Sequence, residues 1–470
     1  MRTYQDLVLV GENEQNRMQF VHDVISEHRG SELYRTAQIA DEYDRKQNRT
    51  IVQYQKLLYD VTGRAIPDNV SANYKITSGF FNRFTTQQVQ FLLGNGVTWG
   101  NEATGDALGE DFDKQLQNIA KASLCAGVAF GFFNYDHMEV FDALEFAPLY
   151  DEENGALRAG VRFWQVDAQK PLRATLYEED GFTDYKWEDG VASVLEEKQK
   201  YVLTLVSTEV DGTEIYDGQN YPSFPIVPLW ANPHKQSELV GIREQIDAYD
   251  LIKSGFCNTI DEASFIYWTI NNAGGMDEVD LAEFVNRLKT IHAANVEDTG
   301  ATATANSLEA PHEGREALLD RLAKDMYADY MALNIDEIKG GANTATQIRA
   351  AYEPMNNKAD QFEYVIGDFL KGILDVAGID DKPTFTRSYL INVQEEVDTI
   401  LQASQYLDQE YVTRKIMTLL GDADKVDDVL DSINAGAMER FGVVDGSGTT
   451  DDGQQGANSS QATIGGIQES

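Results

Sequence analysis

The stretch Ser237–Ile270, SELVGIREQIDAYDLIKSGFCNTIDEASFIYWTI, constrains this chain more than any other. Its apolar residues recur at steps of three and four with no proline inside, which predicts one long helix. Leu239, Ile242, Ile246, Tyr249, Phe256, Ile260, Ala263, Tyr267 and Ile270 form the stripe. Lys253 is its one charged interruption, and Gly255, about 1 kcal/mol worse than alanine inside a helix, permits a local bend. At about 1.5 Å per residue the helix would run about 50 Å. A helix of that length crosses a domain or packs lengthwise on others.

The flanking sequence predicts an out-and-back path. Asn271-Asn272-Ala273-Gly274-Gly275 stops the helix, and Asp277–Ile291 reads as a short amphipathic helix with Val279, Phe284, Leu288 and Ile291 on one side. Ala293–Pro311, rich in Ala and Thr, reads as a small flexible or hairpin element. A second long helix is predicted from Arg315 to Leu333, through Leu318, Leu322, Met326 and Tyr330. Lys339-Gly340-Gly341-Ala342-Asn343-Thr344 is then a glycine-centred loop, with Thr344 placed to cap a third long helix reaching Val376. Pro354 inside that helix should kink it. Periodicity alone fits an ordinary helical bundle with surface loops equally well.

Upstream, residues 1–66 read as helical and polar, with apolar patches at Phe20, Val21, Val24 and Ile25 and at Ile51, Val52, Tyr54, Leu57 and Leu58. Ala72–Leu93 reads as a helix ended by Gly94-Asn95-Gly96, and Asp111–Ala126 as another. Gly94, Gly96 and Gly100 imitate a dinucleotide fingerprint, but the third glycine falls one place late and no strand precedes them. The pattern then changes to strands at 127–134, 139–146, 157–165, 172–178 and 201–206, separated by Asp-Gly, Asn-Gly and Glu-Asp turns. That is an antiparallel region whose Trp164, Tyr185 and Trp187 suit cross-strand packing. Thr384–Val393 reads as a strand, and 394–401, 411–420 and 426–441 as short helices. Asp445–Ser470, with no Lys or Arg and almost no large apolar residue, should be disordered.

Charge excludes one broad class. With 78 acidic against 38 basic residues the net charge is −40, which repels a phosphate backbone and opposes DNA binding by counterion release. Acidity serves solubility as well. Cys125 and Cys257, each in an apolar context, build neither a disulfide framework nor a metal cluster. The amino terminus lacks a signal-peptide run and no segment is apolar enough to span a bilayer, so synthesis in the cytoplasm is expected.

No catalytic constellation stands out, so no cofactor is expected. No Gly-Lys pair occurs, which removes a Walker A loop and with it an ATPase of that type. The six histidines lack zinc-ligand spacing. Acidic neighbours such as Asp261-Glu262 and Glu395-Glu396 point apart on a helix, leaving an acidic metal-dependent hydrolase or nuclease as an alternative without a motif.

Several segments, in order, resemble a tailed-bacteriophage portal protein of the siphophage type. Pro225-Ile226-Val227-Pro228-Leu229-Trp230-Ala231-Asn232 is similar to the family's "P-x-V-P" strand and asparagine. Ile246-Asp247-Ala248-Tyr249-Asp250 with Ser254, and Gly340-Gly341-Ala342 leading to Lys358-Ala359, continue the likeness. Asn73-Tyr74-Lys75-Ile76 resembles "N-x-K-I", and Phe91–Val97 resembles "Y-L-x-G-x-P-V", with Gly96 where the family often has proline. The resemblance covers residues 30–440, and its strength lies in the order of the segments.

The resemblance implies an α+β, mostly helical portal fold, with long stem helices, a mixed α/β wing, a small clip and a C-terminal helical crown. By it, 1–235 would be N-terminal region and wing, 236–270 and 315–334 the stem helices, and 271–314 the clip. Residues 335–346 would be the tunnel loop, 347–393 wing with the kinked helix, 394–442 crown and 443–470 a disordered acidic tail. It implies a homo-oligomeric ring of about twelve copies at one capsid vertex, in the virion. Double-stranded DNA would pass its tunnel non-specifically, and a terminase motor, capsid or scaffolding proteins and a head–tail adaptor would be partners, with no membrane. Lys339, Gly340, Gly341, Asn343 and Thr344 would face the DNA, while Ile242, Ile246, Phe256, Ile260, Leu322 and Met326 would form stem interface or core. Another phage head or adaptor protein is the remaining structural alternative.

Overall fold

The computed structural model describes residues 2–59, 62–69, 71–208, 214–263, 267–271, 279, 302–306, 312–339, 345–388, 393–422 and 425–441. The chain divides into two compact units, Met1–Tyr389 and Leu390–Ser470.

The first unit opens with helices α1 (Tyr4–Val10), α2 (Glu14–Arg29), α3 (Glu32–Asp44) and α4 (Arg49–Gln53). Thr3, Asn13, Ser31 and Asn48 precede them, and each side chain accepts a hydrogen bond from an N–H of the first turn. Such caps fix where the helices begin. A two-stranded ribbon, β1 (Leu57–Tyr59) with β2 (Ala65–Pro67), follows. Next come α5 (Phe80–Leu93), β3 (Val97–Trp99), α6 (Glu102–Leu108) and α7 (Phe112–Ala126).

Strands β4 (Val128–Asn134) and β5 (His137–Phe141) form a three-stranded antiparallel sheet with β13 (Ile226–Trp230) on the other side of β4. Strands β6 (Phe146–Tyr150), β7 (Leu157–Trp164), β8 (Leu172–Glu178), β9 (Gly181–Glu188) and β10 (Val191–Gln199) make a five-stranded antiparallel meander in sequence order. Between β9 and β10 the Asp189-Gly190 turn has φ of +52° and +79°, which matches the twist of a two-residue hairpin. Strands β11 (Val202–Thr208) and β12 (Glu214–Gln219) pair as a separate ribbon.

Helix α8 (Arg243–Ala263) is followed by β14 (Tyr267–Asn271), which pairs with β15 (Thr302–Asn306). Helices α9 (His312–Tyr330), α10 (Ile335–Lys339) and α11 (Ala345–Ala377) and strand β16 (Pro383–Phe385), paired with β3, complete the unit. The second unit contains α12 (Val393–Ala403), α13 (Gln409–Leu420) and α14 (Val426–Phe441). No helix among the described residues is long and apolar enough to cross a membrane.

Packing follows the apolar faces. α1 and α2 cover the five-stranded sheet, with Phe20, Val21, Val24 and Ile25 against Leu149, Val161 and Phe163. His28, fully buried, lies within hydrogen-bond reach of the Ala143 carbonyl (2.7 Å) beneath this layer. α5, α7 and α11 enclose a second core over β4 and β13. α11 comes close to that sheet because Gly131 leaves room for Phe369; a Cβ there would sit 2.6 Å from the ring. A third core gathers Ala40 and Tyr43 of α3, Phe80, Phe81 and Phe84 of α5, Ile246 of α8, and Met326 and Tyr330 of α9 around Leu239 and Ile242.

Several expectations are corrected. The long helix does not run from Ser237 to Ile270. It starts at Arg243, because Val240 and Ile242 close turns onto Ser237 and Leu239, and Tyr267–Ile270 lies in β14. The run Tyr-Trp-Thr-Ile is aromatic and β-branched, and its strand preference outweighs the helical period. Its partner is Thr302–Asn306, within the Ala/Thr-rich segment. Ala72–Gly79 is not helical; α5 begins at Phe80. Leu57–Tyr59 and Ala65–Pro67 are strands, not helix. The expected strand 384–393 is confined to Pro383–Phe385 among the described residues. Expected strand 139–146 is divided between β5 and the start of β6. Apart from Val279, the predicted helix 277–291 lies outside the described residues, as does the tail from 442 onward.

The stripe of α8 therefore has two halves. Ile246 is 1% exposed in the third core, whereas Ile260 is 47% exposed. Ile246→Asp, which buries an unpaired charge, should cost more than about 4 kcal/mol. Ile260→Asp should change the subunit's stability by about 0.5 kcal/mol or less. Denaturant melts of the two variants check this; equal losses would refute the division.

Candidate functional site at the root of the long helix

α8 carries Asp250, Ser254 and Asn258 at four-residue intervals on one face, each at most 9% exposed. The extended segment Ala72–Gly79 runs antiparallel along that face. The N–H of Ser78 donates to Asp250 Oδ1 (2.9 Å), that of Ile76 to Ser254 Oγ (3.0 Å) and that of Tyr74 to Asn258 Oδ1 (2.7 Å). The steps match, since four helical residues rise about 6 Å and two extended residues about 6.6 Å. A helix thus serves as the pairing partner of an extended chain, through side chains in place of a second backbone. This is why Ala72–Gly79 stays extended.

The ladder is anchored at Asp250. Its second oxygen accepts from Asn48 Nδ2 (2.9 Å), and Asn48 Oδ1 in turn caps α4 and lies 3.0 Å from the Tyr43 hydroxyl. That hydroxyl also bonds Asp247, whose other oxygen accepts from Thr50 Oγ1 (2.9 Å). Burial raises the Asp250 carboxyl pKa above its ordinary value, with the donors Asn48 and Ser78 pulling the other way.

A second polar knot lies just before α8. Glu238 accepts from Asn232 Nδ2 (2.9 Å) and from Lys358 Nζ (2.6 Å), and Lys358 Nζ sits 3.5 Å from the centre of the Tyr330 ring. Tyr330 donates to Gln88 Oε1 (2.8 Å). Burial lowers the Lys358 pKa, and Glu238 opposes that shift by holding the ammonium charged. The knot joins the end of β13, the approach to α8, the end of α9 and the middle of α11.

The segments singled out in the sequence converge here: Asn73–Ile76 on Ser254 and Asn258, and Pro225–Asn232 on Lys358 through Glu238. Ile242, Ile246 and Met326 are core, Leu322 and Phe256 are half-buried, and Phe256 faces the His312 ring at 5.6 Å. Lys339 is not in a loop but ends α10, a helix that forms because Asn334 Oδ1 accepts from Asp336 N–H (3.2 Å) and Ile338 packs against the fifth core of Phe91, Leu333 and Tyr352. Gly340, Gly341, Asn343 and Thr344 lie outside the described residues. α11 continues through Pro354.

Asn48, Tyr43, Glu238 and Asn258 escaped the sequence reading, and Tyr330 was legible there only as part of an apolar stripe. The signal for part of this was the four-residue spacing of the small polar side chains Asp250, Ser254 and Asn258 along α8. The glycine loop after α5 offers no phosphate cradle, because its amides already donate to carboxylates: Val97 to Asp113 (3.1 Å) and Gly100 to Asp381 (3.1 Å). Among the described residues no group of three His, Cys, Asp or Glu side chains is disposed to hold a metal.

Asp250→Ala strands the Ser78 and Asn48 donors and should cost about 1–3 kcal/mol for each, against about 1 kcal/mol for Ser254→Ala. The raised carboxyl pKa gives the sign of the pH effect. The folded chain holds the Asp250 proton more tightly than the unfolded chain, so this group's contribution to stability is present below about pH 4. It is lost as the pH rises through the folded value. Asp250→Asn should remove that slope in denaturant melts run upward from about pH 4; an unchanged slope would exclude Asp250 as its source.

Comparison with known proteins gives a consistent result. The family described as phage portal protein, SPP1 Gp6-like, matches residues 22–435. The portal protein of Clostridium phage phiCD119 is 24% identical over 328 residues, covering 63% of this chain and 70% of the relative. That of Bacillus phage SPP1 is 22% identical over 385 residues, covering 75% and 74%. Among solved structures, a chain from the neck of an empty GTA particle aligns at 11% identity and TM-score 0.44, over 73% of this chain and 90% of its own. One from the neck of a native GTA particle aligns at 10% and 0.43, over 72% and 89%. With the family's match extending across nearly the whole of the first unit and most of the described second, the chain belongs to the SPP1 Gp6-like family of phage portal proteins.

Proposed function

We propose that this portal protein assembles as a ring of about twelve copies at one capsid vertex. There it is a structural conduit for double-stranded DNA during packaging and ejection, with no catalytic step of its own. The observation that carries the reading is the family match over residues 22–435. α8 and α9, packed as an antiparallel pair, are the stem; the chain between them is the clip, which docks the terminase motor and then the head–tail adaptor. The Lys339–Thr344 segment faces the tunnel, the sheets and their helices are the wing and residues 394–442 the crown. A net charge of −40 per copy suits a wall that DNA must not stick to.

Light scattering should give a mass of about ten or more protomers, and negative-stain images a ring with a central hole. A monomer or dimer at all concentrations would overturn the reading and favour the hydrolase alternative. In assembled heads, Gly341→Val should lower packaged DNA more than Lys339→Ala, because it stiffens a segment that glycine leaves free. If both package like the parent, the tunnel assignment fails. Replacing Ala293–Pro311 by a Gly-Ser linker removes β15 but should leave the wing structure measurable by circular dichroism while abolishing packaging; retained packaging would remove the clip assignment.

A further inference from the structure

On this strongly acidic chain one surface runs against the average. Residues 45–75 carry six basic residues and two acidic ones. They include the β1–β2 ribbon, whose Leu57, Leu58, Tyr59 and Ile66 are between 42% and 72% exposed. A two-stranded ribbon is marginal by itself, and an apolar one left in water is a surface awaiting cover. Beside it an open groove follows the flank of α8, lined by Tyr54, Lys56, Tyr74, Lys75, Leu251 and Arg315 among others, and none of its lining residues is acidic. Tyr54, Tyr74 and Leu251 are 43–53% exposed.

A second open groove has the opposite character. It lies along α11 and β16 and is lined by Asp360, Glu363, Tyr364 and Asp368, with no basic residue. Arg387 pairs with Asp360 and Glu363, which leaves Asp368 unopposed among them, and Tyr364 is 78% exposed. The two grooves share no residue.

From this complementarity we infer that the basic groove and ribbon of one copy receive the acidic α11–β16 face of the next. The inference rests on the ring reading and names its contact. Two copies at −40 each repel, so they adhere only where opposite charges meet over apolar area. Two different patches joined head to tail generate a closed ring when the rotation closes, whereas a self-complementary patch stops at a dimer. The exposed Leu57, Leu58 and Leu251 argue for a protein occupant over phosphates, which cover no apolar surface.

The test uses the full chain in two charge-reversed forms, Lys56→Glu with Lys75→Glu and Glu363→Lys with Asp368→Lys. Melting temperature and circular dichroism establish that each is folded. By light scattering each alone should lose at least tenfold in the fraction assembled. Mixing the two should restore it, since every contact in an alternating ring then joins opposite charges. Rings from either variant alone at the parent's level, or no rescue on mixing, would overturn the assignment while leaving the ring reading intact. A parent that never exceeds a dimer overturns both. Rings of normal mass that lose only DNA retention would assign the basic groove to nucleic acid and overturn the contact with a second copy.

Discussion

A near-coincidence of two lengths organises the first unit. Four residues of helix advance almost as far as two residues of extended chain, so a helix with a small polar acceptor at every fourth position can hold alternate amides of a passing strand. Asp250, Ser254 and Asn258 do this for Ser78, Ile76 and Tyr74. Without the ladder, three amides in a partly buried segment would lack partners, and the turn that delivers α5 to the third core would have no fixed start. The buried Asp250–Asn48–Tyr43–Asp247 network extends the same constraint to α3 and α4.

Much of this was legible in the residues, and the failures share a cause. The existence of α8, α9, α11, α7 and the C-terminal helices follows from the three-and-four spacing of their apolar residues. The boundaries that failed were decided by partners elsewhere in sequence. Tyr267–Ile270 keeps the helical period yet pairs as a strand with residues 302–306, and Ala72–Gly79 has helix-compatible spacing yet yields its amides to α8. Strands β9, β10 and β12 were passed over because their exposed faces carry Lys, Glu and Gln that dilute the alternation.

The site was half legible. Two of the segments that suggested the family, Asn73–Ile76 and Pro225–Asn232, make their contacts along α8 and just before it, whereas Phe91–Val97 makes its contacts elsewhere. What could not be read was the joining by Asn48 and Glu238, single polar residues whose importance comes from hydrogen bonds to partners distant in sequence. Lys358 illustrates the energetics: its charge is tolerated because Glu238 and the face of Tyr330 together replace the water it loses.

The division of the α8 stripe has a consequence in time. Because Ile242 and Ile246 are satisfied inside their own subunit while Ile260 is not, a newly made chain can complete its core without waiting for a neighbour. For the proposed ring, folding is then a first-order event and association a later, concentration-dependent one. A pool of finished subunits would build up in that interval, and the moment of nucleation would pass from the chain to whatever gathers the copies in one place.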